Sequence, residues 1–171
     1  NSCSLYGGKE RGTSPFYPKQ EHSPAIWRRG FWKGRSETFE KIVSKISHDF
    51  FTAIDKSSIV DKNSKIGLGS VIAHNSVIQS DVQIGKHCII NTSSSVDHDC
   101  KVDDFVHVGP GVTICGNVKV GSCSLIGAGS IILPNIKIGK NVIVGAGSVV
   151  LKDIPDNLKV AGSPAKKLTD E

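Results

Sequence analysis

The side chains best suited to chemistry in this sequence are a histidine between two aspartates, Asp97-His98-Asp99. Imidazole titrates near neutrality, so it can take a proton from an attacking hydroxyl or amine at physiological pH. A carboxylate beside the ring fixes its tautomer and raises its pKa. The motif therefore suits general base catalysis of group transfer. A histidine on an exposed loop is more often inert. The motif alone therefore does not distinguish a catalytic base from an inert surface side chain, and the surrounding sequence is needed.

A repeat of six residues runs on both sides of this motif. When the chain is cut into blocks of six from Ala53, the second residue of every block is Ile or Val, through seventeen consecutive blocks that end at Ile154. The sixth residue of these blocks is only Ser, Cys, Val or Ile. Apolar spacing near 3.6 would indicate a helix and spacing of 2 a strand, so neither fits alone. A period of six predicts a solenoid in which the β-branched residue points inward and the sixth residue fills a corner between short strands.

The blocks LIGAGS, IVGAGS, KIGLGS and KIGKNV resemble the hexapeptide repeats of the left-handed parallel β-helix acyltransferases. In that family three blocks make one triangular coil, with the left-handed connections that most folds avoid. The resemblance implies an all-β solenoid, with a left-handed β-helix acyltransferase domain over residues 53–154 and a closing segment over 155–171. At eighteen residues per coil, the repeat predicts between five and six coils.

Residues 1–52 are expected to form an arm and a short helix. The first 35 residues are rich in Gly, Pro and Ser without sustained periodicity, so no structure is predicted there. Arg28 to Arg35 mixes bases with aromatics, which fits either a platform for a nucleotide or, as we favour, a solvated basic arm. Ser36 can cap a helix that would cover the lower end of the solenoid with an apolar stripe, formed by Phe39, Ile42, Val43 and Ile46.

Charge and composition narrow the class of protein. The net charge of +5 belongs mostly to residues 1–52, and the nearly neutral remainder gives no reason to expect nucleic acid binding. No apolar stretch could span a membrane and no signal peptide opens the chain, so a soluble, cytoplasmic protein is predicted. No cysteine pair has the spacing of metal ligands, and Cys88 and Cys100 occupy inward sixth positions, so reduced core thiols are expected.

The outward first residue of each block predicts a homotrimer. One face of the prism is wet, with Lys65, Gln83, Lys101, Lys119 and Lys137. The other two are largely apolar, with Val71, Ile89, His107, Leu125 and Ile143 on one, and Ile59, Val77, Ser95, Thr113, Ile131 and Val149 on the other. Two apolar faces on a soluble prism imply burial against other subunits. Cyclic packing of three prisms uses two faces of each and leaves one in water.

The stretch NTSSSVDHDCKVDDFVHVGPGV resembles the INT…(E/D)HD…DF(V)H(V)…PG stretch of sugar acetyltransferases. These include the sialic-acid O-acetyltransferases and the nucleotide-amino-sugar N-acetyltransferases of bacillosamine and perosamine type. The resemblance implies that His98 is the general base and Asp99 the acid that orients it, with Asp97 as the alternative. It also implies that His107 lies near the acetyl thioester.

The same resemblance places Gly116, Ala128 and Ala146 along a coenzyme A cleft. Gly116 follows His98 by eighteen residues, so it should lie directly above the ring and leave space there. Another column stays small over several coils and offers a slot for the pantetheine arm, although Gly and Ala also simply suit tight corners; it consists of Thr92, Pro110, Ala128 and Ala146. The phosphates of the coenzyme would need bases near the upper end, which holds Lys152, Lys166 and Lys167, unless these lysines are only solvated.

The resemblance implies an enzyme that moves acetyl from acetyl-CoA to an amino or hydroxyl group of a sugar in bacterial surface-glycan synthesis, by direct attack and without a metal. The acceptor would be a nucleotide-linked amino sugar or a sialic acid. Relatives carry a complete N-terminal βαβ domain for the sugar nucleotide. Here Gly7-Gly8 lacks the flanking strand and helix, so a remnant or truncated form is expected.

Two other functions stay open, a non-catalytic trimeric scaffold and a metal enzyme like the γ-carbonic anhydrases. The second needs three clustered histidines, and the available ones do not follow that family's spacing; they are His74, His87, His98 and His107.

Overall fold

The computed structural model of the protein describes residues 50–168 together with Glu37 and Lys41. Glu37 and Lys41 are helical and exposed, and both belong to the helix predicted from Ser36. The rest of that helix and the arm before it lie outside the described residues. No helix in the described part of the chain has the length and hydrophobicity to cross a membrane.

Short strands recur along the chain, and the first seventeen each begin at the first residue of a predicted block. Their bounds are β1 (Ala53–Ile54), β2 (Ile59–Val60), β3 (Lys65–Ile66), β4 (Val71–Ile72), β5 (Val77–Ile78), β6 (Gln83–Ile84), β7 (Ile89–Ile90), β8 (Ser95–Val96), β9 (Lys101–Val102), β10 (His107–Val108), β11 (Thr113–Ile114), β12 (Lys119–Val120), β13 (Leu125–Ile126), β14 (Ile131–Ile132), β15 (Lys137–Ile138), β16 (Ile143–Val144), β17 (Val149–Val150), β18 (Lys159–Ala161) and β19 (Lys166–Lys167). The first seventeen strands coincide with the seventeen blocks. The six-residue repeat is therefore confirmed.

The strands form three sheets, which run the length of a prism. Sheet A has the order β1-β4-β7-β10-β13-β16-β18-β19, sheet B the order β17-β14-β11-β8-β5-β2, and sheet C the order β15-β12-β9-β6-β3. Neighbouring strands are parallel and eighteen residues apart through the repeat, so Val71 pairs with Ala53 below and with Ile89 above. The fold is the predicted left-handed β-helix, with about six turns. The chain turns at an A–B, a B–C and a C–A corner in each coil.

The core is the column of inward second residues on each sheet. These are buried from Ile72 to Val150, whereas Ile54 at the lower end is 39% exposed. Each fully buried Ile or Val side chain contributes about 1.5–3 kcal/mol to the free energy of unfolding. Because each second residue stacks on that of the next coil, the solenoid is held together by contacts between coils.

The sixth residues tie the coils together with hydrogen bonds. The hydroxyl of Ser70 donates to the carbonyl of Gly85 at 2.8 Å and accepts the N–H of Cys88 at 2.9 Å. Ser124 makes the same pair of bonds three coils higher on the same corner. The Cys100 thiol makes an equivalent pair through its sulfur on the B–C corner. A small hydrogen-bonding side chain therefore satisfies buried backbone groups that the corner leaves unpaired.

The fifth residue of each block has a left-handed backbone. Its φ lies between +54° and +72° in every block from Gly69 to Gly147. This conformation is costly for most side chains and least so for Gly, Asn and Asp, which are common at this position. The sequence prediction did not include this feature, and it sets the geometry of Asp99 at the site described below.

The three predicted faces are confirmed as the outer surfaces of the three sheets. The lysine column lies on sheet C, the Val71 column on sheet A and the Ile59 column on sheet B. On sheet B, Ile59 is 66% exposed and Ile131 is 41% exposed. At the upper end β18 extends sheet A above β16, and β19 returns antiparallel to β18.

Candidate active site

His98 lies at the B–C corner, between β8 and β9. Asp99 has the left-handed conformation of the fifth block position, with a φ of +59°. Its Oδ2 is 2.9 Å from Nδ1 of His98, and Oδ1 of Asp97 accepts the backbone N–H of His98 at 2.8 Å. Because an ionised carboxylate only accepts hydrogen bonds, Nδ1 carries the ring proton. The lone pair is then on Nε2, as a general base requires.

Both neighbouring acids make His98 more basic. The pKa of His98 is raised above its usual value, first by the hydrogen bond that its Nδ1–H donates to Asp99 and then by the negative charge of Asp97. The side chains of His98 and Asp99 are 57% and 62% exposed, so solvent screens the charge interaction. The structure thus brings all three predicted residues together, and it gives Asp99 the direct contact with the ring.

Gly116 lies immediately above the ring, as its eighteen-residue offset predicted. A Cβ at this position would lie 2.7 Å from both Cε1 and Nε2 of His98. The N–H of Asn117 donates to the carbonyl of His98 at 2.9 Å, which holds the two coils in register. Only a residue without a side chain leaves the Cε1–Nε2 edge of this imidazole uncovered.

The thiols near His98 are poor nucleophiles. Cys115 lies one coil above Asp97, and burial together with the charge of Asp97 raises the pKa of its thiol. Burial also raises the pKa of the Cys100 thiol, to about 11. Since the thiolate is the reactive form, neither sulfur is activated at neutral pH. The corner therefore presents a base without an activated thiol beside it, which favours direct transfer over a cysteine-bound intermediate.

Above His98 the same corner becomes apolar and then basic. Leu133 and Leu151 continue the column of Asp97 and Cys115, and they are 37% and 47% exposed. Lys152 is exposed near the top of the His98 column, three coils up. The sequence analysis missed both leucines, although they occupy the third position of their blocks and reading that column at intervals of eighteen finds them.

His107 is on β10 of sheet A, so one chain does not bring it to His98. Its Nε2 is 3.3 Å from Nδ2 of Asn91. The amide orientation is settled because Oδ1 of Asn91 accepts the N–H of Thr92 at 2.8 Å. The amide nitrogen therefore donates to Nε2 of His107, so Nε2 accepts and the ring proton is on Nδ1. A carboxylate at the same place would instead require the proton on Nε2. Asn91 was not predicted; it follows β7, the strand that pairs with β10.

Ala128 and Ala146 are exposed on the A–B corner, where the surface is smooth. A Cβ added at Gly111, Gly129 or Gly147 would have no atom within 4 Å. This corner and the His98 corner are separated by sheet B within one chain. The predicted residues thus fall into two groups, with Asp97, His98, Asp99, Gly116 and Lys152 at the B–C corner and His107, Ala128, Ala146 and Lys166 on sheet A or the A–B corner.

Within residues 50–168 and at the two described helical positions, no group of three or more His, Cys, Asp and Glu side chains could hold a metal ion. The metal-enzyme alternative gains no support from this part of the chain.

The fold and this corner define a hexapeptide-repeat β-helix protein, and comparison with known proteins agrees. The family "Bacterial transferase hexapeptide (six repeats)" matches residues 117–152. A comparison with curated proteins finds no significant match.

Several solved structures are similar to this chain. A histidine-to-asparagine variant of perosamine N-acetyltransferase from Caulobacter crescentus, in complex with CoA and GDP-perosamine, is 34% identical with a TM-score of 0.78, over 81% of this chain and 66% of that one. The acetyltransferase domain of PglB from Neisseria gonorrhoeae is 34% identical with a TM-score of 0.77, over 86% and 75%. WeeI from Acinetobacter baumannii is 32% identical with a TM-score of 0.72, over 78% and 66%. The chain belongs to the hexapeptide-repeat sugar acetyltransferases.

Proposed function

We propose that the protein transfers acetyl from acetyl-CoA to an amino or hydroxyl group of a sugar, in bacterial surface-glycan synthesis. The observation that carries this proposal is the corner itself: His98 has a carboxylate on Nδ1, and Gly116 leaves the Nε2 edge of the ring uncovered. Relatives support the choice of substrates, since one binds CoA and GDP-perosamine and another binds acetyl coenzyme A.

His98 acts as general base in a direct attack. The acceptor nitrogen or oxygen attacks the thioester carbonyl while Nε2 of His98 takes its proton. The carbon–sulfur bond then breaks, and the coenzyme leaves as the thiol after receiving the proton from the imidazolium. Asp99 stabilises the positive charge that forms on the ring between these two transfers. Asp97 adds to this through its charge.

The active form is a homotrimer. His98 and His107 face different sides of one prism, so only neighbouring protomers can contribute both to one site. Sheets A and B have the apolar outer residues that such an assembly would bury, with Ile59 and Ile131 the most exposed of those on sheet B. Sheet C keeps its lysines in water.

Acetyl-CoA binds between the A–B corner of one protomer and the B–C corner of the next. The pantetheine arm lies along Ala128 and Ala146 on one side, and the exposed Leu133 and Leu151 supply an apolar wall on the other. The phosphates then reach the upper end, where Lys152 and Lys166 are exposed. The thioester is thereby placed beside His107 and over His98.

The acceptor is a nucleotide-linked amino sugar or a sialic acid. The test is a screen of such sugars, free and nucleotide-linked, with acetyl-CoA, following release of the coenzyme thiol. Wild-type protein should release thiol with at least one acceptor. His98→Ala should release it about 10²–10⁴-fold more slowly, while the two proteins bind acetyl-CoA about equally in calorimetry. A wild-type protein that does not bind acetyl-CoA would instead favour the non-catalytic scaffold.

A further inference from the structure

A second aspartate–histidine pair lies at the lower end of the A–B corner. Oδ2 of Asp55 is 3.1 Å from Nε2 of His74 in the coil above. Oδ1 of Asp55 accepts both the N–H of Ser57 at 2.9 Å and its hydroxyl at 2.6 Å. The Ser57 oxygen in turn accepts the N–H of Asn75 at 3.0 Å. The pair is therefore held by hydrogen bonds that join two successive coils.

These bonds indicate the ionisation of Asp55 and the tautomer of a neutral His74 ring. The hydroxyl and then the N–H of Ser57 lower the pKa of Asp55, so this carboxylate is ionised at neutral pH. An ionised carboxylate only accepts, so Nε2 of His74 donates to it. In the neutral ring Nδ1 is then an acceptor. The His74 side chain is 66% exposed. The pair thus offers hydrogen-bond acceptors, with a negative charge behind them.

The pair shares its corner with the proposed coenzyme cleft. From the lower end upward, the fourth residues of the blocks on this corner are Lys56, His74, Thr92, Pro110, Ala128 and Ala146. The lower half of this column is polar and the upper half is small and apolar. His98 belongs to the coil above that of His74, about one strand spacing of ~4.8 Å higher along the prism. An acceptor that reaches the thioester from below would pass this pair.

We propose that Asp55 and His74 bind ring hydroxyl groups of the acceptor sugar, below the thioester. The inference rests on the proposed function. Nδ1 of the neutral His74 ring and the remaining lone pair of Asp55 Oδ2 can each accept a hydrogen bond from a sugar hydroxyl. An anionic phosphate is disfavoured here, because Asp55 would repel it. The pair therefore recognises the sugar part of a nucleotide-linked acceptor and not its diphosphate.

The test uses GDP-perosamine and GDP as separate probes of the full chain, with binding measured by calorimetry. His74→Ala should bind GDP-perosamine about 10-fold more weakly, because hydrogen bonds to the sugar are lost. Its affinities for GDP and for acetyl-CoA should not change. His74→Gln keeps an acceptor on the side chain and should recover part of the loss. Lys86→Ala is the matched control and should leave binding unchanged. Like His74, Lys86 is an exposed fourth residue of its block in the same coil, but it lies on the C–A corner.

Unchanged GDP-perosamine affinity in His74→Ala would overturn the inference, and so would a wild-type protein that does not bind this probe. An equal loss for GDP would assign the pair to the nucleotide and also overturn it. Failure of the proposed function has a different signature, because acetyl-CoA would then not bind to the wild-type protein.

Discussion

Gly116→Ala should disable the proposed base without unfolding the protein. The new Cβ would start 2.7 Å from Cε1 and Nε2 of His98. Carbon atoms pack at about 3.5 Å, so the ring has to withdraw by about 0.8 Å. The ring is exposed and can swing away, but it cannot do so and keep its 2.9 Å bond to Asp99. Because a misplacement of this size can cost up to about 10²-fold in rate, we expect kcat to fall by about 10–100-fold.

The pH dependence gives this prediction a second readout. His98 acts as a base only when it is deprotonated, so kcat/KM falls as pH drops through its pKa. That pKa is raised chiefly by the hydrogen bond that His98 donates to Asp99, so in the wild-type protein the fall lies at a higher pH than for an unperturbed histidine. Gly116→Ala weakens the bond and should move the fall to lower pH. The assay is release of the coenzyme thiol, followed from pH 5 to 9 at roughly saturating acetyl-CoA.

Gly121→Ala is the informative contrast. There the added Cβ would lie 2.7 Å from backbone atoms of Gly139 and Lys140, which cannot swing away. We expect this variant to lower Tm, whereas Gly116→Ala should melt near the wild type. If Gly116→Ala keeps wild-type kcat/KM and an unshifted pH profile, either His98 is not the base or its reactive edge is not the one under Gly116.

Three further predictions concern the base, the cleft and the assembly. His98→Ala should lower kcat by about 10²–10⁴-fold with acetyl-CoA affinity nearly intact. Asp99→Asn should lower kcat less and shift the acid limb of the kcat/KM profile to lower pH. An active His98→Ala trimer would refute the mechanism. Ala128→Trp should fill the slot and weaken acetyl-CoA binding in calorimetry, and unchanged affinity would remove this residue from the cleft. Leu125→Glu should dissociate the trimer in light scattering while Lys119→Glu, on the wet face, should not; a wild-type monomer at micromolar concentration would contradict both expectations.

Much of the fold was readable in the sequence, because each block obeys the same packing rule. The second residue must be apolar in every coil, so seventeen repetitions fix the strand positions and, through the eighteen-residue offset, the three faces. The same arithmetic placed Gly116 above His98 before any contact was known. The predicted N-terminal helix has no such repetition, and apart from Glu37 and Lys41 it lies outside the described residues.

Side-chain contacts between neighbouring columns were not readable in this way. Asn91 meets His107, and Asp55 meets His74, at offsets of sixteen and nineteen residues, which the eighteen-residue rule does not contain. These contacts depend on rotamers and on the left-handed turn at the fifth block position. The sequence does not show that turn. From the sequence, only the resemblance to known acetyltransferases favours Asp99 over Asp97 as the partner of the His98 ring.

By itself, the sequence determined a β-helix of known register, its wet and apolar faces, and a His–Asp motif at one corner. These follow from periodicity, since a strict repeat converts distance along the chain into position in space. The tertiary structure alone decided which carboxylate holds the His98 ring and how closely Gly116 approaches it. Those facts depend on φ angles and on atoms that meet across coils, and a pattern of residue types specifies neither.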